Sequence, residues 1–284
     1  MDTVHVLLPV HNRRDVTRGF VCCLKTQTYP DVRLILIDDG STDGTQEVVR
    51  QEYPSAEFIQ GDGTWWWAGC LQRGLDRLKQ KATKDTDIVL LANDDTTFAP
   101  DYVERAVKFL DGKKGCMLLS RIRNAATGEV EESGVFADLR TMRFQETKEP
   151  ASINCLSTRG LFLRWGDMKI AGGFHPLLLP HYLSDYEYTI RASRRGLKCA
   201  TTESVWLDAN LALTGNRDLG KLVGWNFVRG FFSIKYPANP IYQTSFVILA
   251  VPSRWIFSNL LRIWGPALKQ ILRQGLLRFP LTTG

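Results

Sequence analysis

Three short stretches of this sequence place carboxylates where chemistry could be done, and each follows an apolar run. In the first, Ile37-Asp38-Asp39-Gly40-Ser41-Thr42-Asp43-Gly44-Thr45, a hydrophobic segment gives way to a glycine turn and a helix start. Asp43 and Gln46 have the spacing of a capping pair, which makes Asp43 structural. Asp38 and Asp39 stand at the tip, where a carboxylate can accept hydrogen bonds from a nucleobase N–H or a ribose hydroxyl. Taken alone, an Asp-Asp-Gly turn is more often a simple turn. The second stretch is Leu91-Ala92-Asn93-Asp94-Asp95-Thr96. Adjacent carboxylates with no nearby basic residue repel each other, a cost that a cation relieves. One carboxylate plus diphosphate oxygens is a common way to hold Mg2+ or Mn2+ in a nucleotide site. The bland alternative is an acidic turn capping the helix after Pro100. In the third, Leu183-Ser184-Asp185-Tyr186-Glu187, Ser184 and Glu187 have capping-box spacing and Gly196 is a natural stop. Asp185 is then expected at the first helical position, kept ionised by the macrodipole and able to take a proton from an incoming hydroxyl. An aspartate that merely favours a helix start is the competing reading.

Gly61-Asp62-Gly63-Thr64-Trp65-Trp66-Trp67-Ala68-Gly69 adds aromatic surface. Three successive tryptophans cannot all enter one core, because neither the strand nor the helix period aligns neighbours. At least one is expected to line a site, where a flat indole suits a nucleobase or the C–H face of a sugar. Arg159 and His181 are weaker candidates, more readily read as surface or satisfied polar residues.

The elements that must position these loops alternate. Strands are expected at Val4–Val10, Val32–Ile37, Ala56–Ile59, Ile88–Leu91 and Cys116–Leu119, with helices at Asp15–Gln27, Thr45–Gln51, Ala68–Lys81 and Tyr102–Leu110. This rhythm implies an α/β fold, a mainly parallel sheet with helices on both faces, whose ligands bind at the carboxyl ends of the strands. From 121 to 165 the pattern loosens into short alternating strands, and a helix follows at 185–195. The expected organisation is a catalytic domain over 1–218, divided into a nucleotide-binding half at 1–120 and an acceptor half at 121–218, followed by a basic helical region at 219–284.

Composition bounds the answer. The 284 residues are 44% hydrophobic and 23% charged, which excludes disorder and a disulfide miniprotein. The six cysteines have no CxxC spacing, so buried thiols in a reducing cytoplasm are expected. The amino terminus reads as a strand rather than a signal peptide. The charge of +6 is unevenly placed: after Asp218 there is no acidic residue, while Lys221, Arg229, Lys235, Arg254, Arg262, Lys269, Arg273 and Arg278 are all basic. Taking those eight from the 36 basic residues leaves 28 against 30 acidic ones in the first 218 positions.

The order and spacing of the three loops, together with Pro9-Val10-His11-Asn12-Arg13, Gly160-Leu161-Phe162-Leu163-Arg164, Gly172-Gly173-Phe174 and the helix Asp185–Gly196, resemble the inverting family 2 glycosyltransferases of the GT-A fold. The resemblance covers roughly residues 3–215. It implies a nucleotide pocket at Pro9, Val10, Asn12, Arg13 and Asp39, with Asp39 the partner of the base. It also implies a DXD-type motif at Asn93-Asp94-Asp95 in which Asp95 touches a divalent Mg2+ or Mn2+ ion on the diphosphate, and Asp185 as general base. Asp62, Trp65, Trp66, Trp67 and Asp94 join the donor side; Arg159, Gly160 and His181 the acceptor side. Three departures stand out: Asn93 replaces an acidic residue, His175-Pro176 stands where an acidic pair is frequent, and Asp208 lies where many members place a metal-binding histidine. The implied reaction moves a sugar from a UDP- or dTDP-linked donor to a lipid-linked or polysaccharide acceptor. A sugar nucleotidyltransferase and an inactive sugar-binding subunit are the alternatives; the first would show a glycine-rich phosphate loop that Pro9–Arg14 lacks.

The tail carries its own pattern. At about 100° per residue, Ile256–Arg273 puts Ile256, Phe257, Leu260, Leu261, Ile263, Trp264, Leu268, Ile271 and Leu272 on one half. Arg262, Lys269 and Arg273 fall opposite, with Asn259 and Gln270. Such a helix can lie in the headgroup region of an anionic bilayer; taken with the resemblance to family 2 glycosyltransferases, it implies a peripheral protein on the cytoplasmic face of a bacterial inner membrane. Packing on the catalytic domain or on a second subunit is the alternative. The run from Lys235 to Arg254 holds three prolines and is a poor membrane span, and nucleic acid is not an expected partner.

Overall fold

The computed structural model describes residues 1–209, 219 and 222–276. The chain begins β1 (Val4–Val10), α1 (Arg14–Lys25), β2 (Val32–Asp38), α2 (Thr45–Glu52), β3 (Glu57–Gln60), α3 (Trp66–Gln80), β4 (Ile88–Leu91), β5 (Thr96–Thr97), α4 (Tyr102–Leu110) and β6 (Cys116–Asn124). It continues through β7 (Val130–Glu132), β8 (Val135–Asp138), β9 (Arg143–Glu146), β10 (Leu161–Arg164), α5 (Trp165–Ala171), α6 (Ser184–Arg194) and β11 (Lys198–Ala209). Three helices follow: α7 (Gly224–Phe231), α8 (Pro240–Ala250) and α9 (Ser253–Gln270).

One nine-stranded sheet runs β3-β2-β1-β4-β10-β6-β11-β5, with β7 attached to β6. β1, β2, β3 and β4 are parallel neighbours, as are β6 and β11, while β10 runs antiparallel between β4 and β6. Every residue of β1 is buried because both faces are covered. Val4, Val6, Leu8 and Val10 meet α1 and α4 through Phe20, Leu24, Val103 and Leu110. Leu7 on the other face joins Ile35 and Ile37 against α3, α5 and α6 through Leu71, Leu75, Met168 and Tyr188. Leu8 and Leu7 thus divide the core by the period of two.

The boundary expected at 120 falls inside β6, and β10 and β11 complete the same sheet, so the two halves share one scaffold. Of the cysteines, Cys70, Cys116 and Cys155 are buried, but Cys22 is exposed, against expectation. The tail differs more. Asn259, placed on the solvent side by the helical wheel, is fully buried and donates to the Leu139 carbonyl at 2.9 Å. Ile263 and Ala267 are buried with it, one and two turns on, and Ile256, Leu260 and Trp264 pack beside them. α9 therefore lies against the body, α8 buries Phe246, Val247 and Ala250, and only part of the expected apolar half faces outward. Among the described residues no helix is long and apolar enough to cross a membrane.

Candidate active site

The carboxyl ends of β1, β2 and β4 meet at the point where strand order reverses, the place where open α/β sheets bind ligands. Pro9 and Val10 are buried there, paired with Ile37 and Asp38. Asn12 sits at φ +51°, and its side-chain oxygen accepts from the Thr42 amide at 2.8 Å, so it ties the loop after β1 to the loop after β2. Asp39 is buried, and its carboxylate accepts from the amides of Gly63 at 2.8 Å, Trp65 at 3.0 Å and Trp66 at 2.9 Å. A carboxylate at the amino end of α3 meets both unpaired N–H groups and the positive end of the macrodipole. Asp39 thus anchors the tryptophan loop. Asp43 accepts from the Thr45 and Arg14 amides, but Gln46 reaches Asp38 instead of closing the expected capping pair.

Arg13 overturns the expectation that the paired carboxylates have no cation nearby. Its guanidinium lies 3.3 Å from Asp94 and 3.6 Å from Asp95. Asp94 also accepts from the Thr17 hydroxyl at 2.9 Å; burial, only partly offset by Arg13, pushes its pKa up to about 6. Asp94 is therefore an internal anchor. Asp95 faces a cavity of about 630 Å³ that Arg13, Asn93, Trp67, Arg159, His181 and Asp185 also line. One carboxylate oxygen of Asp95 and the side-chain oxygen of Asn93 are buried without a hydrogen-bond partner. Two bare oxygens on one wall are hard donors of the kind Mg2+ or Mn2+ takes, so these residues fit such an ion. Among the described residues no three His, Cys, Asp or Glu side chains gather as a metal cluster.

The far wall of the cavity is acidic. Asp185 stands at the second position of α6, since the helix starts at Ser184 after Leu183 at φ +66°. No capping box forms: the Ser184 hydroxyl donates to the His181 carbonyl at 2.6 Å and Glu187 is paired with Arg191 at 2.7 Å. Burial outweighs the helix terminus, and the Asp185 pKa is pushed up to about 6, with Glu132 adding repulsion. Glu132 and Glu146, from β7 and β9, line the same cavity and were not singled out from the sequence. Burial raises Glu132, which the Ser157 hydroxyl and the Arg159 charge partly offset, and burial with Glu132 beside it lifts Glu146 to about 7. His181 has a ring nitrogen buried without a partner and a lowered pKa, from burial and from Lys235. Its ring lies 5.7 Å from that of Trp66, which is held at φ +56°. Strained backbone at Trp66 and Leu183, on loops that border one cavity, is what a functional site tolerates.

The tryptophans divide as neighbours must. Trp67 lines the cavity and donates to the Thr158 hydroxyl at 3.1 Å, Trp66 meets the His181 ring at a tilt of 54°, and Trp65 packs on the core beneath Arg73. The other sequence candidates do not join them. Asp62 is exposed and closes a turn on Thr64. Gly160 sits at φ +79° with its carbonyl accepting from Ser120, a packing position. Asp208 is held bidentately by Arg123 at 2.9 and 3.1 Å and does not line the cavity that Asp95 faces.

Comparison with known proteins follows the same lines. The family model described as Glycosyl transferase family 2 matches residues 5–164. The glycosyltransferase GlyA of Streptococcus pneumoniae serotype 4 is 26% identical over 109 residues, 38% of this chain; that stretch is 15% of the relative's own length. The S. aureus TarS 1–349 structure in complex with UDP-GlcNAc superposes with a TM-score of 0.61 at 14% identity, covering 99% of this chain and 95% of that one. The mannosyltransferase PcManGT from Pyrobaculum calidifontis, in complex with GDP-Man and Mn2+, gives 0.57 at 18% identity, covering 94% and 75%. At those identities the two structures establish the shared fold. With the family match spanning more than half the chain, the protein belongs to glycosyltransferase family 2 and has the GT-A fold.

Proposed function

We propose that this chain is an inverting glycosyltransferase that moves a sugar from a UDP- or dTDP-linked donor onto a hydroxyl of a lipid-linked or polysaccharide glycan. The observation that carries the reading is Asp185: a carboxylate with a pKa near 6, in the wall of the cavity that also holds Asp95 with a bare oxygen. A general base works best when its pKa lies close to the working pH, and burial has brought this one there. In the reaction, Asp185 accepts the proton of the acceptor hydroxyl as that oxygen bonds to C1 of the sugar. The bond from C1 to the diphosphate oxygen breaks on the opposite face, so a single displacement inverts the anomeric centre.

The donor's diphosphate is assigned to the Arg13 and Asp95 side. Asp95, with the Asn93 oxygen, would hold a Mg2+ or Mn2+ ion, which when bound offsets negative charge on the leaving phosphate oxygen. Arg13 adds a fixed positive charge to that wall. Trp67, pinned by Thr158, offers a flat face to the sugar, and Arg159 with the two glutamates offers hydrogen-bonding groups to acceptor hydroxyls. The nucleotide-sugars bound to TarS and to the mannosyltransferase support a donor of this class.

The test is Asp185→Asn. Transfer should fall by roughly 10²- to 10⁴-fold, the usual worth of a positioned base, while calorimetric affinity for the nucleotide-sugar stays within error. Normal turnover by the variant would remove the assignment.

A further inference from the structure

α9 presents to solvent a surface that its burial on the protein does not explain. Its inner face is accounted for by Asn259, Ile263 and Ala267, with Ile256, Leu260 and Trp264 beside them. On the outer side Phe257 is 73% exposed, Leu261 60% and Leu268 53%, and Leu272, in the π-helical turn Ile271–Leu276 that continues the helix, 53%. At about 100° per residue Phe257, Leu261 and Leu268 fall within an arc of about 40°, and Arg254 stands about 20° beyond its edge. Lys269 and Arg262 form the adjoining arc, Arg273 follows in the next turn, and all four cations are exposed. Arg262 keeps its charge at the surface while donating to the Arg140 carbonyl at 2.8 Å, which fixes the register of the helix on the body. No acidic residue follows Asp218 in the sequence, so the tail supplies no carboxylate of its own to neutralise the stripe.

From this arrangement we infer that the outer face of α9 docks on an anionic lipid bilayer. The apolar stripe enters the boundary between headgroups and acyl chains while Arg254, Arg262, Lys269 and Arg273 meet lipid phosphates. A row of large apolar side chains in water is costly, and monomeric proteins seldom leave one uncovered. The charge selects the occupant. A second copy of the chain would bring the same cations face to face, whereas an anionic membrane surface attracts each of them. The protein then sits peripherally on an anionic membrane surface, where the lipid-linked acceptor of the proposed function would be met.

The experiment uses the full chain and sedimentation with vesicles of phosphatidylcholine alone or mixed with phosphatidylglycerol. Wild type should bind the mixed vesicles and not the neutral ones, and more weakly as salt is raised. The double variant Phe257→Ser/Leu261→Ser should lose about tenfold or more in apparent affinity, as two lipid-buried apolar side chains imply. Lys269→Ser/Arg273→Ser should lose binding and salt dependence together. Unchanged melting temperature and nucleotide-sugar affinity show that these variants are folded. Wild type failing to bind, variants binding as wild type does, or the serine pair converting a dimer to a monomer in light scattering would each overturn the inference. The sugar-transfer reading would stand in all three cases, because soluble acceptor turnover does not depend on the helix face.

Discussion

Arg13 holds one carboxylate oxygen of Asp95 at 3.6 Å and leaves the other bare. The arrangement neutralises part of the charge on the Asp94–Asp95 pair yet keeps a ligand free on the cavity side. If that free oxygen binds a divalent ion, Asp95→Ala should abolish the tightening of nucleotide-sugar binding on adding Mn2+. The loss is expected to be at least about tenfold, since even groups one shell further out contribute that much to a metal site. Affinity without metal should change little. Titration calorimetry with and without Mn2+ checks this, and equal Mn2+-dependent gains in variant and wild type would remove the ion from Asp95.

Asp185 couples activity to stability through one proton. Its pKa is raised to about 6 in the folded chain against an ordinary value of 3.8, so between these values the folded state binds more protons than the unfolded one. Stability must therefore fall as pH rises through that window, and above it the ionised carboxylate remains a standing cost. Replacing it by Asn removes the charge and keeps the shape. Asp185→Asn should melt higher than wild type at neutral pH, with the difference vanishing below about pH 4. The wild-type rate should decline below about pH 6 as the base is protonated. Thermal melts over a pH series decide it, and an Asn variant less stable than wild type at neutral pH would contradict the burial argument.

The frame of this site was legible in the sequence, and its partnerships were not. β1, β4 and α4 begin and end where apolar runs and turn residues put them, because those signals are local. The loops after them were legible for the same reason. Glu132 and Glu146 escaped because β7 finds its place by pairing with β6, and β9 by pairing with β8, so nothing near either residue announces a cavity. Arg13 and Asp94 lie far apart along the chain, and only the closing of β1 beside β4 brings them together. On α9 periodicity marked an apolar half but not which arc meets the body. Asn259, polar by type, is buried because the Leu139 carbonyl needs its amide.

Gly160 illustrates a residue matched through family likeness that turns out to be about packing. At φ +79° a side chain is strained, and a Cβ there would run into the Leu207 side chain and lie 2.9 Å from the Ser120 hydroxyl and 3.0 Å from that of Tyr102. Overpacking and left-handed strain each cost about 1–3 kcal/mol, so Gly160→Ala should destabilise by about 2–5 kcal/mol. Urea denaturation measures it. Preserved stability with a selective rise in acceptor KM would instead put Gly160 at the substrate.

Asp39 is where anchoring and ligand binding can be separated. Its two oxygens receive three amide hydrogens from Gly63, Trp65 and Trp66, bonds to a charged acceptor in a buried place. Removing the acceptor leaves three N–H groups unpaired at the start of α3, so Asp39→Ala should cost about 2–4 kcal/mol in chemical denaturation. Nucleotide-sugar affinity should fall with it, because Trp66 and Trp67 lose the anchor that holds their loop. Asp39→Asn keeps the size but turns one acceptor into an NH2 group facing a donor, so an intermediate loss of stability is expected. The pattern to look for is affinity and stability declining together across the two variants. A loss of affinity at full stability would mean that Asp39 meets the nucleobase directly and that the amide contacts contribute little.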